Sequence, residues 1–347
     1  MAIIREMNMD ENTKNLKNTI KKLQEPQILV IGDLALDEMV YGDTERISRE
    51  APVLILQHTY TKYILGGASN AAHNVSALNG GKVSVVGVVG ADYQAEELKN
   101  AFKTAGIDTK YLVTDSSRKT ITKTRISGSC SQSVTQQIVR IDRQTKTDLS
   151  QKTENSIIGI IEKIIKDYDA VIISDYHIGT VTDRIISAVT DLAEKYSVKV
   201  IVDAQKNLER YKNIFSMTPN LPDTQKHVGF YLKTKEDFLK AGNILIEQTG
   251  AENILITCGD EGMVLIEKGN NYTHIPVFNK SRVFDVTGAG DTVTATYALG
   301  LAAKINPVQA AVIGNIAAGI VIKQFGCATT NLDEIISEVP GKIILEH

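Results

Sequence analysis

The chain has 347 residues, an apolar fraction of 43%, a charged fraction of 23% and a formal net charge of −3. This is an ordinary composition for a soluble globular protein with a large core, and the charge argues against nucleic acid or an anionic membrane as a partner. There is no apolar run of membrane-spanning length, no signal-peptide pattern, and no disulfide framework or zinc cluster among the separated Cys130, Cys258 and Cys327. We therefore expect a cytoplasmic protein.

The N-terminal residues 1–26 are predicted to form a helical extension. Leu16, Ile20 and Leu23 lie at helical spacing, which predicts a surface helix over residues 9–24 that packs on the body and ends before Pro26. The remaining residues, 27–347, are predicted to form one domain. The continuous apolar run in 27–32 is typical of a strand buried on both faces of a parallel sheet.

The chain then alternates between strand and helix patterns. Further strands are predicted over 83–89, 170–174, 198–202, 253–257 and 263–266, and helices over 68–78, 95–105, 151–166, 183–196, 235–248 and 307–325. This alternation predicts an α/β fold with a doubly wound, mainly parallel sheet that is flanked by helices.

Two segments, about 38–65 and 117–143, interrupt this alternation. Both are rich in Val, Ile, Thr and Tyr, and no helical pattern separates their apolar stretches. They predict antiparallel strands that leave the main sheet and can pair with each other. We expect a small antiparallel β lid.

Polar residues and glycines follow the first strand and open the first predicted helix. Asp33 and Asp37 lie where ligands bind in open parallel sheets, so Asp33 is placed to accept hydrogen bonds from a polyol. Alternatively, Asp33 only caps a turn. The double glycine Gly66-Gly67 admits a ligand close to the backbone, and Asn70 can bind a sugar hydroxyl. Alternatively, this stretch is only a glycine-rich helix start.

Charged residues follow in the lid segment and at the end of a strand. Lys123, Arg125 and Arg140 could contact an anionic group of a substrate, or they could only protect a strand edge from pairing. Asp175 ends a predicted strand at the depth of a ligand, or it caps the next helix.

Two loops farther along the chain have the residue types of a nucleotide site. Asn220 and Asp223 are three residues apart on a turn and could hold hydrated Mg²⁺ beside phosphates. Taken alone, they are a common turn pattern. The segment 257–262, with Thr257, Gly259 and Gly262, could hold a nucleotide's ribose and phosphates, or it could only be a hairpin loop.

The most specific pattern is Asp285-Val-Thr-Gly-Ala-Gly-Asp291. The stretch 282–284 before it resembles the end of a strand, and the small and apolar residues of 292–303 after it predict a buried helix. Free backbone N–H groups at this helix start can bind an anion, and Gly288 and Gly290 let the main chain come close to it. At the same helix start, Asp291 stays ionised and can accept a hydroxyl proton. This arrangement suits phosphoryl transfer to a hydroxyl. The alternative is that Asp291 merely caps the helix.

Other enzyme patterns are absent from the sequence. The six histidines have no metal-binding spacing, and there is no hydrolase elbow, P-loop or dinucleotide fingerprint.

The chain resembles the ribokinase or PfkB family of carbohydrate kinases from about residue 28 to about residue 334. Residues 66–70 are similar to the first signature of that family, and residues 285–291 are similar to its second. Within the family, several segments resemble the heptose 7-phosphate kinases, which form the kinase half of a bifunctional ADP-heptose enzyme. These segments are 41–53, 120–125, 138–142, 174–176, 218–220 and 317–322 with Gly326.

The resemblance implies an ATP- and Mg²⁺-dependent kinase for a sugar or sugar phosphate, with a heptose 7-phosphate phosphorylated at its anomeric hydroxyl as the preferred substrate. It implies that Asp291 is the base and that the N–H groups of residues 288–290 stabilise the transferring group. The implied sugar-binding residues are Asp33, Gly66, Gly67 and Asn70. From their positions in the sequence, we add Asp37 and Asp175 as candidates for substrate binding and Lys123, Arg125 or Arg140 as the cation that meets the substrate's phosphate.

The resemblance also implies the nucleotide side of the site and an assembly. Asn220 and Asp223 would organise Mg²⁺, through water at Asp223, and the ATP phosphates. The residues implied to line the nucleotide site are Thr257, Gly259, Gly262, Asp285 and Asn315. As is common in the family, we expect a homodimer through the lid, because its open edges and apolar face could be covered by a second copy.

The chain departs from the heptose kinase pattern near the implied substrate. Arg49 replaces a proline, His177-Ile-Gly stands where a lysine is usual, and residues 204–207 replace Pro-Lys-Gly. A kinase for another sugar or a nucleoside is therefore the alternative enzyme. A catalytically silent sugar-binding regulator is the alternative from another class.

Overall fold

The computed structural model describes residues 9–130, 133–278, 284–341, 343 and 345–346. The strands are β1 Ile28–Gly32, β2 Leu34–Ile47, β3 Leu54–Gly67, β4 Val83–Val89, β5 Leu112–Thr114, β6 Ile121–Cys130, β7 Ser133–Arg143, β8 Ala170–Asp175, β9 Lys199–Ala204, β10 Ser216–Met217, β11 Asn253–Thr257, β12 Met263–Glu267 and β13 Asn271–Ile275. The helices are α1 Met9–Lys21, α2 Ala68–Asn79, α3 Tyr93–Thr104, α4 Gln151–Ile164, α5 Asp183–Tyr196, α6 Leu221–Val228, α7 Lys235–Thr249, α8 Ala289–Ala302, α9 Pro307–Val321 and α10 Leu332–Ser337.

The main sheet has nine strands in the order β13-β12-β11-β10-β9-β8-β1-β4-β5. All neighbours from β11 to β5 are parallel, while β12 and β13 form an antiparallel edge. Strand β1 lies between β8 and β4, with every residue buried. The predicted doubly wound, mainly parallel sheet is confirmed.

The two faces of the sheet carry separate cores, and β1 supplies both. Ile28 and Val30 face the core formed with α1, α2, α3, α8, α9 and α10. Leu29 and Ile31 face the core formed with α4, α5 and α7. This alternation follows from the two-residue period of a strand, and it explains why the run from 28 to 31 is apolar throughout.

The lid is a four-stranded sheet in the order β3-β2-β6-β7. The predicted joining of the two segments into one small sheet is confirmed. The strands are antiparallel within each hairpin, as expected, but β2 and β6 pair in parallel, with Ala35 opposite Ile121. The lid is thus antiparallel within each hairpin and parallel only where the two hairpins meet. The first hairpin is also longer than predicted, because β2 begins at Leu34 and β3 ends at Gly67.

Helix α1 packs on the body as predicted, because Leu16, Ile20 and Leu23 are all buried. Of the predicted strand end at 282–284, residues 282 and 283 lie outside the described residues, and Phe284 is not in a strand. Residues 1–8 of the expected extension also lie outside. In the part of the chain that the structure describes, no helix is long and apolar enough to cross a membrane.

Candidate active site

The carboxyl ends of β8, β9 and β10 and the first turns of α6 and α8 meet around one cavity. Its lining residues are Asp175, Tyr176, Asp203, Ala204, Gln205, Thr218, Asn220, Asp223, Thr257, Gly288, Gly290 and Asp291. This is the edge of an open parallel sheet at which ligands bind. The structure thus brings together residues from four of the segments that the sequence singled out.

The glycine turn at the start of α8 depends on Gly288. This residue has φ +80° and ψ 0°, and a Cβ here would stand 2.6 Å from the side-chain nitrogen of Asn70. Only glycine fits both conditions. The N–H of Ala289 donates to the carbonyl of Val286 at 3.2 Å. Contrary to the prediction, this N–H is therefore not free to bind an anion. Among the described residues, no acceptor meets the N–H groups of Gly288 and Gly290.

Asp291 lies at the start of α8 and is 5% exposed. Its Oδ2 accepts a hydrogen bond from Asn70 Nδ2 at 2.7 Å, and its Oδ1 accepts one from the hydroxyl of Tyr176 at 2.9 Å. Burial raises the pKa of Asp291 to about 6, against the lowering effect of these hydrogen bonds and of Lys123, while Asp37 raises it further. An acid with this pKa is mostly ionised at neutral pH and can accept a proton.

Asp33 is fully buried beneath the cavity. Its carboxylate accepts hydrogen bonds from the backbone N–H groups of Tyr176, Ile178 and Thr180 at 2.9–3.1 Å. Burial, and then the charge of Asp175, raise the pKa of Asp33. The carboxylate therefore holds the 176–180 loop and presents no surface to a ligand, and the contact of Asp33 with a sugar stays a prediction.

The Gly66–Asn70 segment joins the lid to α2. Gly67 has φ +55° and ψ −137°, and a Cβ here would stand 2.8 Å from the carbonyl oxygen of Asp33. Gly66 lies against the carboxylate of Asp37. Asn70 is fully buried, so in this structure it orients Asp291 and does not expose its amide to the cleft.

Asp175 lies at the end of β8 and is almost fully buried. It accepts hydrogen bonds from the hydroxyl of Tyr211 at 2.5 Å and from the backbone N–H of His177 at 2.7 Å. Arg210 Nη1 lies 3.4 Å from its Oδ2. The carboxylate is thus already satisfied, although the residue lines the cavity.

The predicted lid cations have different surroundings. Arg125 Nη1 lies 2.9 Å from Asp37 Oδ1, but neither atom has a well-oriented hydrogen bond. Arg140 makes two 2.7 Å hydrogen bonds to Asp142 on the outer part of β7. Lys123 Nζ lies 5.4 Å from the centre of the Tyr176 ring.

A second cavity lies between the lid and the segment that precedes α8. It is lined by Asp37, Met39, Tyr41, Ile64, Arg125, Ser127, Thr135, Gln137, Asp285, Thr287, Phe325, Gly326 and Cys327. Asp285 accepts hydrogen bonds from the N–H and the hydroxyl of Thr287 and from the N–H of Gly326. Although burial raises the pKa of Asp285, these hydrogen bonds lower it below its usual value. Asp285 therefore borders the lid cavity and braces the turn, away from the predicted nucleotide side.

Asn220 and Asp223 lie at the start of α6. Asn220 caps the helix by accepting the N–H of Asp223 at 2.8 Å, and its amide donates to Asp223 Oδ2 at 2.7 Å. Burial raises the pKa of Asp223. Asp203, which we did not predict as a site residue, faces the same cavity from the end of β9. Burial, then the charges of Asp291 and Asp223, raise its pKa to about 8.

These oxygen donors fit Mg²⁺, which prefers carboxylate and amide oxygens and retains several waters. No group of three acidic, histidine or cysteine side chains among the described residues is compact enough to hold a metal ion directly. The fit is therefore to an ion held partly through water and phosphate oxygens. The position of Asp203 at the carboxyl end of a parallel strand was the sequence signal that could have identified it.

The remaining predicted nucleotide residues, on β11, on the turn after it and on α9, differ in their position relative to this cavity. Thr257 lines it, and its N–H donates to the carbonyl of Pro219 beside Asn220. Gly259 and Gly262 form the tight turn between β11 and β12. Asn315, on α9, donates to the carbonyl of Pro276 at 2.8 Å. These last three residues shape the neighbouring backbone and do not line the cavity itself.

Comparisons with known proteins identify relatives along most of the chain. The model of the pfkB family of carbohydrate kinases matches residues 25–334. The bifunctional protein HldE of a Nitratiruptor species is 37% identical over 310 residues, which are 89% of this chain and 64% of that protein. The HldE protein of Helicobacter hepaticus is 36% identical over 315 residues, 90% of this chain and 64% of that protein. The chain thus spans less than two thirds of the length of these relatives.

Solved structures share the fold at low sequence identity. Arabidopsis thaliana ribokinase complexed with ribose and ATP has a TM-score of 0.69 at 18% identity, over 90% of this chain and 98% of that one. Phosphofructokinase-2 from Escherichia coli in complex with substrates and products has a TM-score of 0.72 at 16% identity, over the same shares of the two chains.

Proposed function

Because the chain belongs to the pfkB family of carbohydrate kinases, we propose that it transfers the γ-phosphoryl group of ATP to a sugar phosphate, D-glycero-D-manno-heptose 7-phosphate, at the anomeric hydroxyl. The sugar kinase activity follows from the family. The substrate is supported by the resemblance of the lid and loop segments to heptose 7-phosphate kinases and by the similarity to HldE proteins.

The single observation that carries the mechanism is the position of Asp291. Its buried carboxylate is held by two donors beside the glycine turn, at the cavity that also contains Asn220 and Asp223. The acceptor hydroxyl lies against Asp291, which takes its proton as the oxygen attacks the phosphorus. The free N–H groups of Gly288 and Gly290 and the positive end of α8 stabilise the charge on the transferring phosphoryl group.

The sugar occupies the second cavity, beneath the lid, and its acceptor hydroxyl extends to Asp291 at the first cavity. Asp37 and Arg125 line the wall of the second cavity and form an ion pair in which Arg125 Nη1 lies 2.9 Å from Asp37 Oδ1. Lys123, Arg125 or Arg140 receives the phosphate of the substrate. The lid excludes the water that would otherwise hydrolyse ATP. Asp33, Gly66, Gly67 and Asn70 shape the sugar site from beneath, and Asp175 lines the first cavity.

The nucleotide occupies the first cavity and the loops beside it. Thr257, Gly259, Gly262 and Asn315 border the nucleotide, while Asn220 and Asp223 would hold Mg²⁺ and orient the phosphates. Mg²⁺ bound there would neutralise charge on the ATP phosphates. Because the proposed phosphoryl donor is ATP, we also propose that the protein is located in the cytoplasm.

We further propose a homodimer through the lid. The lid exposes an apolar surface that includes Ile47, Val53, Leu54, Tyr60, Ile138, Val139 and Ile141, each at least 42% exposed. A groove on the same sheet is lined by Val53, Leu54, Ile138 and Val139. A second copy would cover this surface, since apolar patches of this kind usually mark protein contacts.

A panel of sugars, sugar phosphates and nucleosides, with ADP release as the readout, tests the substrate. We expect the highest kcat/KM with the heptose 7-phosphate and little turnover with the same sugar lacking its phosphate. Preference for another acceptor would contradict the heptose and favour the alternative kinase. A ligand-dependent rise in melting temperature without any ADP would favour the silent sugar-binding protein.

A further inference from the structure

Tyr176 connects the lid to the catalytic carboxylate. It follows β8 directly, and its backbone N–H donates to Asp33 Oδ2 at 3.0 Å. Its ring lies beneath Lys123 of lid strand β6, and its hydroxyl donates to Asp291 Oδ1 at 2.9 Å. No role for this residue was predicted from the sequence. We propose that Tyr176 is a positioning residue that keeps Asp291 ionised and oriented for proton acceptance; this rests on the proposed role of Asp291 as the base.

The hydrogen-bond geometry accounts for orientation. Each carboxylate oxygen has two lone pairs. Asn70 engages one on Oδ2 and Tyr176 engages one on Oδ1, so the plane of the carboxylate is fixed from both sides. A lone pair remains on each oxygen for the proton of the acceptor hydroxyl. A single donor would fix one oxygen and leave the group free to rotate.

The electrostatics account for ionisation. Hydrogen bonds donated to a carboxylate favour its charged form, and here they oppose the effect of burial. Burial, followed by the charge of Asp291, raises the pKa of Tyr176 well above its usual value. The phenol therefore keeps its proton and remains a donor over the whole working pH range.

The lid contributes a charge through Lys123. A cation over the face of a phenol ring is attracted to it, and Lys123 also lowers the pKa of Asp291. The charge of Asp37 on β2 raises the pKa of Asp291. Asp203 on β9 and the thiol of Cys327 after α9 are also coupled to Asp291, whose charge helps to raise their pKa values to about 8 and about 12, so both are still protonated when Asp291 ionises. Lys123 and Tyr176 thus counter burial and the charge of Asp37.

The test compares Tyr176→Phe with the wild type in the pH dependence of kcat/KM for the acceptor sugar. We expect the acid limb to move up by about one pH unit, which is about a tenfold loss of kcat/KM at pH 5.5. At pH 8.5, where Asp291 is ionised in both proteins, the loss should be about threefold or less. The matched control is Tyr297→Phe, which removes a buried hydroxyl on α8 that donates to Asn253 and lies outside both cavities.

An unmoved acid limb in a folded Tyr176→Phe protein would overturn the proposal, as would an equal shift in Tyr297→Phe. If Tyr176→Phe fails to fold, Lys123→Met is the variant that tests the proposal. It should move the limb in the same direction by a smaller amount, and an unmoved limb would count against the proposal. The profile is measured with whichever sugar the wild type accepts. A failure of the heptose substrate therefore appears in the substrate panel and leaves the test of Tyr176 intact.

Discussion

Replacing Asp291 with Asn should lower turnover and raise stability at the same time. The substitution removes the base, and the loss of a general base costs about 10²-fold or more in kcat. The amide still fits the site, since its oxygen can accept from Asn70 and its NH₂ can donate to the hydroxyl of Tyr176. The inactive protein should therefore remain folded.

The magnitude of the stability change follows from the pKa of Asp291. Burial raises it from 3.8 to about 6, so the folded state binds this proton more tightly than the unfolded state. Stability is therefore lost as the pH rises from about 4 to 6, and the full cost at pH 7 is on the order of 3 kcal/mol. Asp291→Asn removes this cost, so we expect it to be about 1–3 kcal/mol more stable than the wild type at pH 7.5.

Two measurements check this prediction. Urea unfolding at pH 5 and pH 7.5 should show that the advantage of Asp291→Asn over the wild type grows with pH, and ADP release should report the loss of turnover. Asp191→Asn, the same change at an exposed position on α5, is the control and should alter neither. Turnover within about tenfold of the wild type would refute the base assignment. An advantage that shrinks as the pH rises would refute the argument from burial.

Three further sets of substitutions test the backbone at the root of the lid, the proposed Mg²⁺ site and the proposed homodimer. Gly67→Ala places a side chain at a backbone φ of +55° and brings its Cβ to within 2.8 Å of the carbonyl oxygen of Asp33. Urea unfolding should show that the free energy of unfolding falls by about 2–4 kcal/mol. In the control Gly159→Ala, in the open middle of α4, the free energy of unfolding should rise by about 0.5–1 kcal/mol. Asn220→Ala with Asp223→Asn should raise the Mg²⁺ concentration needed for half-maximal ADP release about tenfold or more, and an unchanged Mg²⁺ requirement would exclude this pair as the metal site. Val139→Glu should give a monomer by light scattering, because it places a charge on the exposed apolar face of the lid; a dimer that persists would place the interface elsewhere.

The sequence predicted the main sheet and the position of Asp291 at the start of a helix because both depend on local patterns. A glycine turn followed by an apolar helix places Asp291 at a helix start by chain geometry alone. What the sequence could not supply is what holds the carboxylate. Asn70 and Tyr176 are 221 and 115 residues away along the chain, and their meeting depends on how three elements pack.

The sequence also contained no signal for the direction of the Asp33 side chain or for the way in which the two lid hairpins pair. The end of β1 placed Asp33 at the correct edge of the sheet, but its carboxylate turns inward to the loop and not outward to the cleft. Alternating residues predicted each lid hairpin correctly. They contain no signal for the parallel pairing of β2 with β6, because that contact joins two separate excursions of the chain.

Only one residue separates β1 from β2, and β3 passes directly into α2. The lid therefore continues directly from the central strand and is not connected to the main domain by a flexible linker. Its tip, residues 48–53, lies at the far end of two fourteen-residue strands from the root at Leu34 and Gly67. Insertions or replacements at that tip can accumulate without disturbing the root. The dimer contact that we propose at the tip, with Val53, and phosphoryl transfer at the root can thus diversify separately within one continuous ribbon.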